Sequence, residues 1–215
     1  MKKYLAEGIG TLFLTFVFVL TANKDGNLAP LAVGTTLAGM TYATWHISGA
    51  HFNPALTLAM LLRGKIGRTD ALYYVVAQIA GAILASLFAV LFMNCGEETA
   101  IAKHLNSNGI CSLIAEFLGA FALTYVYLNV TATRGSEGNS HFGLAVGFMV
   151  AGAAWALSGI SGGAFNLAAA LAASIAGIFD YDDFWIYLIG TPMGAAAAAS
   201  AFQVIYENRD LPFRQ

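Results

Sequence analysis

Apolar residues in this chain come in long, nearly uninterrupted runs, without the strict alternation of a half-buried strand or the one-sided stripe of a surface helix. Runs over 4–22, 28–47, 71–93, 110–130, 142–160 and 184–206 each approach the ~20 residues that a helix needs to cross a bilayer. Two more runs, 53–62 and 166–177, are too short to cross. The pattern predicts an all-α membrane protein with six transmembrane helices and two re-entrant half-helices. These eight segments use most of the 215 residues, so a single domain over 1–215 is expected.

Composition agrees. The chain is 58% hydrophobic and 10% charged, against about 25% charged in soluble domains. The first run follows Lys2-Lys3, as the apolar region of a signal peptide would. Glu7 inside the run, its length and the lack of a clear small-x-small site favour a retained first helix instead.

The two short runs open in the same way. Ser48-Gly49-Ala50-His51-Phe52-Asn53-Pro54-Ala55 is followed, from position 161, by Ser161-Gly162-Gly163-Ala164-Phe165-Asn166-Leu167-Ala168. Asn is a strong N-cap and Pro suits the first helical position, so helices should start after Asn53 and Asn166. The duplication extends to Ala6-Glu7 and Ala115-Glu116, and to Ala80-Gly81-Ala82 and Met193-Gly194-Ala195. Residues 1–107 and 108–215 thus read as two repeats of span, span, half-helix, span. Three spans per repeat invert the second relative to the first, an arrangement that puts a pathway near the bilayer midplane.

Glu7 and Glu116 are the carboxylates set deep in full spans, where facing lipid would cost at least ~2.5 kcal/mol. Two roles are open. They can relay protons in a coupled transporter, or accept hydrogen bonds from the unwound turns, whose amides would otherwise be unpaired at membrane depth. Their repeat-related positions favour the structural role. Gly34, Gly39, Gly81, Gly143, Gly147 and Gly194 are expected at close helix contacts.

Basic residues orient the chain. With an inside N-terminus, Lys2, Lys3, Arg63, Lys65, Arg68, Arg134, Arg209 and Arg214 fall on the cytoplasmic side, and Lys24 and Lys103 outside. Asp25, Glu97, Glu98, Asp180, Asp182 and Asp183 also fall outside, so both termini are expected in the cytoplasm. The net charge of −2 carries no nucleic-acid signal. Cys95 and Cys111 bracket an outer loop, where they can pair or serve as two small apolar residues. No cofactor or metal site is expected, and the aspartates sit in loops without a catalytic partner at helical spacing.

The segment His46-Ile47-Ser48-Gly49-Ala50-His51-Phe52-Asn53-Pro54-Ala55 resembles the first signature box of the aquaporin and aquaglyceroporin family. The Glu-bearing repeats, Gln78 and Pro192-Met193-Gly194-Ala195 are similar too, and the likeness covers essentially the whole chain. It implies a right-handed bundle of six tilted helices around two half-helices, with one pore per subunit and a homotetramer in the lipid bilayer. The pore centre would be formed by Asn53, Pro54, Ala55, Asn166, Leu167 and Ala168. Gly49, Ala50, His51, Ser161 and Gly162 would form the lining turns.

The chain departs from the family at the second box, Asn166-Leu167-Ala168-Ala169, where the familiar form is Asn-Pro-Ala-Arg. Counting from the two asparagines, the selectivity positions are Val33, Ala154, Gly163 and Ala169, with Trp155 as the alternative to Ala154. The expectation is a passive channel for water and small uncharged solutes, with an unusually wide, apolar constriction. An aromatic side chain reaching that place would close it down instead. Competing readings are a proton-coupled transporter using Glu7 or Glu116, and a closed or non-conducting scaffold. His51 is expected to face the cytoplasmic half of the pore, His46 to be packed at a span end, and His104 and His141 to lie in loops or at span ends.

Overall fold

A computed structural model of the protein describes residues 1–22, 28–95 and 109–206. Lys24, Asp25, Glu97, Glu98, Lys103, His104, Arg209 and Arg214 lie outside the described residues, as does the boundary between the two repeats.

Among the described residues, eight α-helices follow one another: α1 Lys2–Ala22, α2 Ala29–Ser48, α3 Pro54–Leu62, α4 Arg68–Cys95, α5 Gly109–Thr131, α6 Phe142–Ser161, α7 Leu167–Ile175 and α8 Phe184–Tyr206. α3 and α7 have nine residues each, a length of about 14 Å against a hydrocarbon core of ~30 Å. Five of the long helices are apolar enough to cross a membrane. The sixth, α2, has 20 residues but is diluted by Thr35, Thr36, Thr41, Thr44 and His46. Helix ends fall within three residues of the apolar runs. α7 stops at Ile175, short of 177, because Gly177 turns left-handed (φ 75°) and the Ile178 amide folds back to the Ala173 carbonyl at 2.8 Å.

The packing repeats with the sequence. α1 lies on α4 as α5 lies on α8, α1 on α2 as α5 on α6, α3 on α8 as α7 on α4, and α1 on α7 as α5 on α3. α2 meets α6, and α3 meets α7, across the axis that exchanges the halves. Close approach needs missing side chains. A Cβ on Gly34 would run into the Gly147 carbonyl, and one on Gly147 into the Gly34 carbonyl. Gly81 sits against the Gly8 carbonyl as Gly194 sits against that of Phe117. Gly39 marks no contact, since the space around it is open.

Large apolar side chains cover the outside, among them Leu5, Phe13, Leu87, Leu91, Phe148 and Trp155. Inside lie polar groups such as Glu7, Gln78, Glu116 and Thr191, each 0% exposed. This inverted distribution fits a lipid surround. The described basic residues gather at one end of the bundle. Lys3 and Tyr4 of α1 bond Asp70 of α4, Arg63 stacks on Phe202 near the end of α8, and Tyr206 bonds Asn129 near the end of α5. Cys95 and Cys111 are both free and exposed.

Gly34→Val places branched carbons where α6 backbone lies, and overpacking of this kind costs about 1–3 kcal/mol even where neighbours can yield. It is expected to lower the thermal midpoint in detergent sharply or abolish the folded species on size exclusion. Gly39→Ala, in open helix, should hold or raise the midpoint.

Candidate functional site: two half-helices meeting in a central cavity

Each half-helix is entered through an unwound turn. α2 and α6 end on left-handed glycines, Gly49 (φ 82°) and Gly162 (φ 84°), whose amides close on Trp45 and Ser158. Phe52 and Phe165 are also left-handed, at φ 50° and 49°. That conformation is costly for a residue with a Cβ, and it persists because the rings are wedged into place. Phe52 fills the space where Gly10 has no side chain, and Phe165 fills the same space beside Gly119.

Buried carboxylates hold the turns. One Glu7 oxygen accepts from Ser48 Oγ (2.7 Å) and the His51 amide (2.9 Å). The other accepts from the Phe52 amide (2.7 Å) and Gln78 Nε2 (2.8 Å). Glu116 accepts from Ser161 Oγ (2.6 Å) and the Ala164 amide (3.1 Å), and through its second oxygen from the Phe165 amide (2.6 Å). Thr191 stands where the repeat has Gln78, and it bonds the Tyr187 carbonyl instead. Tyr74 and Tyr187 donate to the carbonyls of Ser48 and Ser161. Fewer turn carbonyls are therefore open than an unwound segment suggests.

The half-helices then meet end to end. Asn53 Oδ1 accepts from the Ala55 amide, and Asn166 Oδ1 from the Ala168 amide, each at 2.9 Å. Their amide nitrogens cross over, Asn53 Nδ2 donating to the Phe165 carbonyl and Asn166 Nδ2 to the Phe52 carbonyl, also at 2.9 Å. Each NH₂ carries two hydrogens, so one donor per Asn remains beyond these bonds. Each helix start adds about half a positive charge. Pro54, Ala55 and Ala168 are buried beneath the junction, and Leu167 is half-buried.

Both asparagines border a cavity with about 30 Å³ open to water, where one water needs ~10–15 Å³. Its walls come in repeat-related pairs: Leu14 with Leu123, Val33 with Val146, Leu37 with Val150, His51 with Ala164, Asn53 with Asn166, and Leu56 with Ala169. Phe18 and Ala50 complete the lining. Of the four positions counted from the asparagines, Val33 and Ala169 line this cavity. Ala154 and Gly163 pack against each other and Ser158 behind the wall. Trp155 is 60% exposed on the outer surface. Phe18, Leu37, Val146 and Val150 also line the cavity; the sequence does not single them out, because apolar residues fill every face of a membrane helix. His51 lines the cavity with Nδ1 3.1 Å from Thr57 Oγ1. His46 is exposed rather than packed, and His141 precedes α6.

Replacing either carboxylate tests the turn architecture. In Glu7→Gln an NH₂ must face at least one amide donor that the carboxylate accepted, a loss of about 2 kcal/mol. In Glu116→Gln the NH₂ likewise faces the Ala164 or the Phe165 amide. Thermal unfolding in detergent should place both variants below wild type; a midpoint equal to wild type for either would contradict this role.

Comparison with known proteins agrees with the geometry. The family model for the major intrinsic protein matches residues 1–202. The chain is 36% identical over 214 residues to a glycerol uptake facilitator protein-like 6 from Lactiplantibacillus plantarum, covering 95% of this chain and 98% of that one. It is 32% identical over 221 residues to aquaporin NIP1-1 of Zea mays, covering 98% of this chain and 77% of the relative. The X-ray structure of the aquaglyceroporin from Plasmodium falciparum superposes with a TM-score of 0.81 at 19% identity, covering 96% and 95% of the two chains. On the repeated turns, the crossed asparagines and these matches, the chain belongs to the major intrinsic protein family.

Proposed function

We propose that the protein is a passive channel for water and small uncharged solutes of the glycerol or urea kind. The observation that carries this is the head-to-head junction of Asn53 and Asn166 inside one cavity lined by both repeats. Two helix N-termini and two spare amide donors make that point attractive to a neutral hydrogen-bonding solute and repulsive to cations. The buried carboxylates are each occupied by a turn, which supports passive flow over coupled transport. Relatives named as a glycerol uptake facilitator-like protein and as aquaporins support the same reading.

Selection at the outer half falls to Val33 and Ala169, backed by Ala154 and Gly163. None of them carries a charge or a side-chain donor, so discrimination there rests on size and apolar contact. Cation exclusion rests on the asparagine junction. The exposed apolar faces seat the protein in lipid and against further copies. We place both termini in the cytoplasm, from the basic residues at one end of the bundle, and the assembly as a homotetramer, from the family likeness. Cysteine labelling of an added residue beside Lys2, and the particle mass in detergent, check these two points. External labelling or a stable monomer would count against them.

Stopped-flow light scattering on proteoliposomes tests the channel. Sucrose shock should shrink them faster than protein-free vesicles, and glycerol or urea shock should be followed by re-swelling. Ala169→Arg fills the cavity wall with a cation and five donors. It is expected to slow glycerol re-swelling about tenfold while water flux falls less. Equal loss of both would indicate simple blockage.

A further inference from the structure

We propose that Phe18, on α1, sets the largest solute the channel accepts, an inference that rests on the channel reading above. The cavity is walled by repeat-related pairs, and Phe18 is the aromatic ring that enters it without its counterpart. That counterpart is Tyr127, since Phe18 follows Glu7 by the same interval as Tyr127 follows Glu116.

The two rings are treated differently. Tyr127 is 0% exposed, and its hydroxyl donates to the Gly49 carbonyl at 2.6 Å, so the ring is drawn onto the first turn. Phe18 has no hydroxyl, and among the described residues no protein donor reaches the repeat-related Gly162 carbonyl. Its ring leans edge-on against Phe179, with centroids 5.9 Å apart. Phe179 is itself fixed. It stacks on Tyr187 at 5.1 Å with ring planes 4° apart, and it fills the space beside Gly162, where a Cβ would strike its ring.

Volume explains why the ring stays in the cavity. The inner half is bordered by His51 and Leu56, whereas the matching outer positions hold Ala164 and Ala169. Phe18 lies about 16 Å beyond Glu7 along α1, at the level of the second turn, and takes up space those alanines leave. A rigid support behind it and small residues opposite make it a fixed wall. Solutes must pass between this ring and the aliphatic residues facing it, so the cut-off follows the size of the side chain at this position.

The test is a graded series, Phe18→Ala, Phe18→Leu and Phe18→Trp, reconstituted beside wild type and Phe13→Ala. Phe13 is 49% exposed on the outer face of the same helix and controls for changes in α1. The readout is the ratio of solute to water permeability for urea, glycerol and a four-carbon polyol. The expected order for the polyol is Ala above Leu above wild type above Trp, with Ala about tenfold over wild type and Phe13→Ala unchanged. If Phe18→Ala does not fold, the Leu and Trp variants still bracket the wild type. A ratio that stays flat across the series while wild type conducts overturns the role of Phe18 alone. Wild-type flux no greater than that of empty vesicles overturns the channel reading, and this inference with it.

Discussion

A chain that stops being helical in the middle of a bilayer must find partners for its own backbone, because no water is there to supply them. Residues 48–52 and 161–165 do this twice, and much of the architecture serves that need. Glu7 and Glu116 are buried in α1 and α5 because each turn presents amides to one of them. A carboxylate is otherwise expensive in this setting, and only several charge-assisted hydrogen bonds at short range offset its desolvation. Tyr74 and Tyr187 complete the arrangement from the carbonyl side. The small residues of α1, α5 and the facing helices let these donors and acceptors come within reach.

With their turn amides paired, the half-helices can be brought end to end. Two positive helix ends repel one another, and the crossed asparagine-to-carbonyl bonds hold them together. The same side chain caps its own helix and clasps the other repeat, so capping and fold closure share one residue in each half. Replacement of Pro by Leu167 in the second box leaves this intact. α7 starts after Asn166 with backbone angles matching those at Asn53. Capping geometry, not the ring of proline, sets the start.

The repeat is least exact where the two ends of the pathway differ. The half around the first turn carries a connected polar set, with His51 and Gln78 both meeting Thr57. The half around the second turn has Ala164, Thr191 and Ala170 at those places. Polar side chains are thus concentrated at the junction and beside the first turn, while the walls beside the second turn are apolar.

Run length alone separated spanning helices from half-helices, because a bilayer core has a set thickness and a helix a set rise. Asn-capped helix starts and the inverted repeat were equally legible, since local capping chemistry and internal duplication are properties of the string itself. The dominance of Gly34 and Gly147 at the α2–α6 crossing, and the irrelevance of Gly39, were not legible: all three look alike until two helices are laid together. The same holds for the walls of the cavity. Every helix here is apolar all round, so periodicity does not say which side faces lipid and which faces the pathway. Trp155 points outward and Phe18 inward because of how α6 and α1 are rotated by their neighbours. That rotation is settled by contacts between helices far apart in the chain, and only the folded bundle contains them.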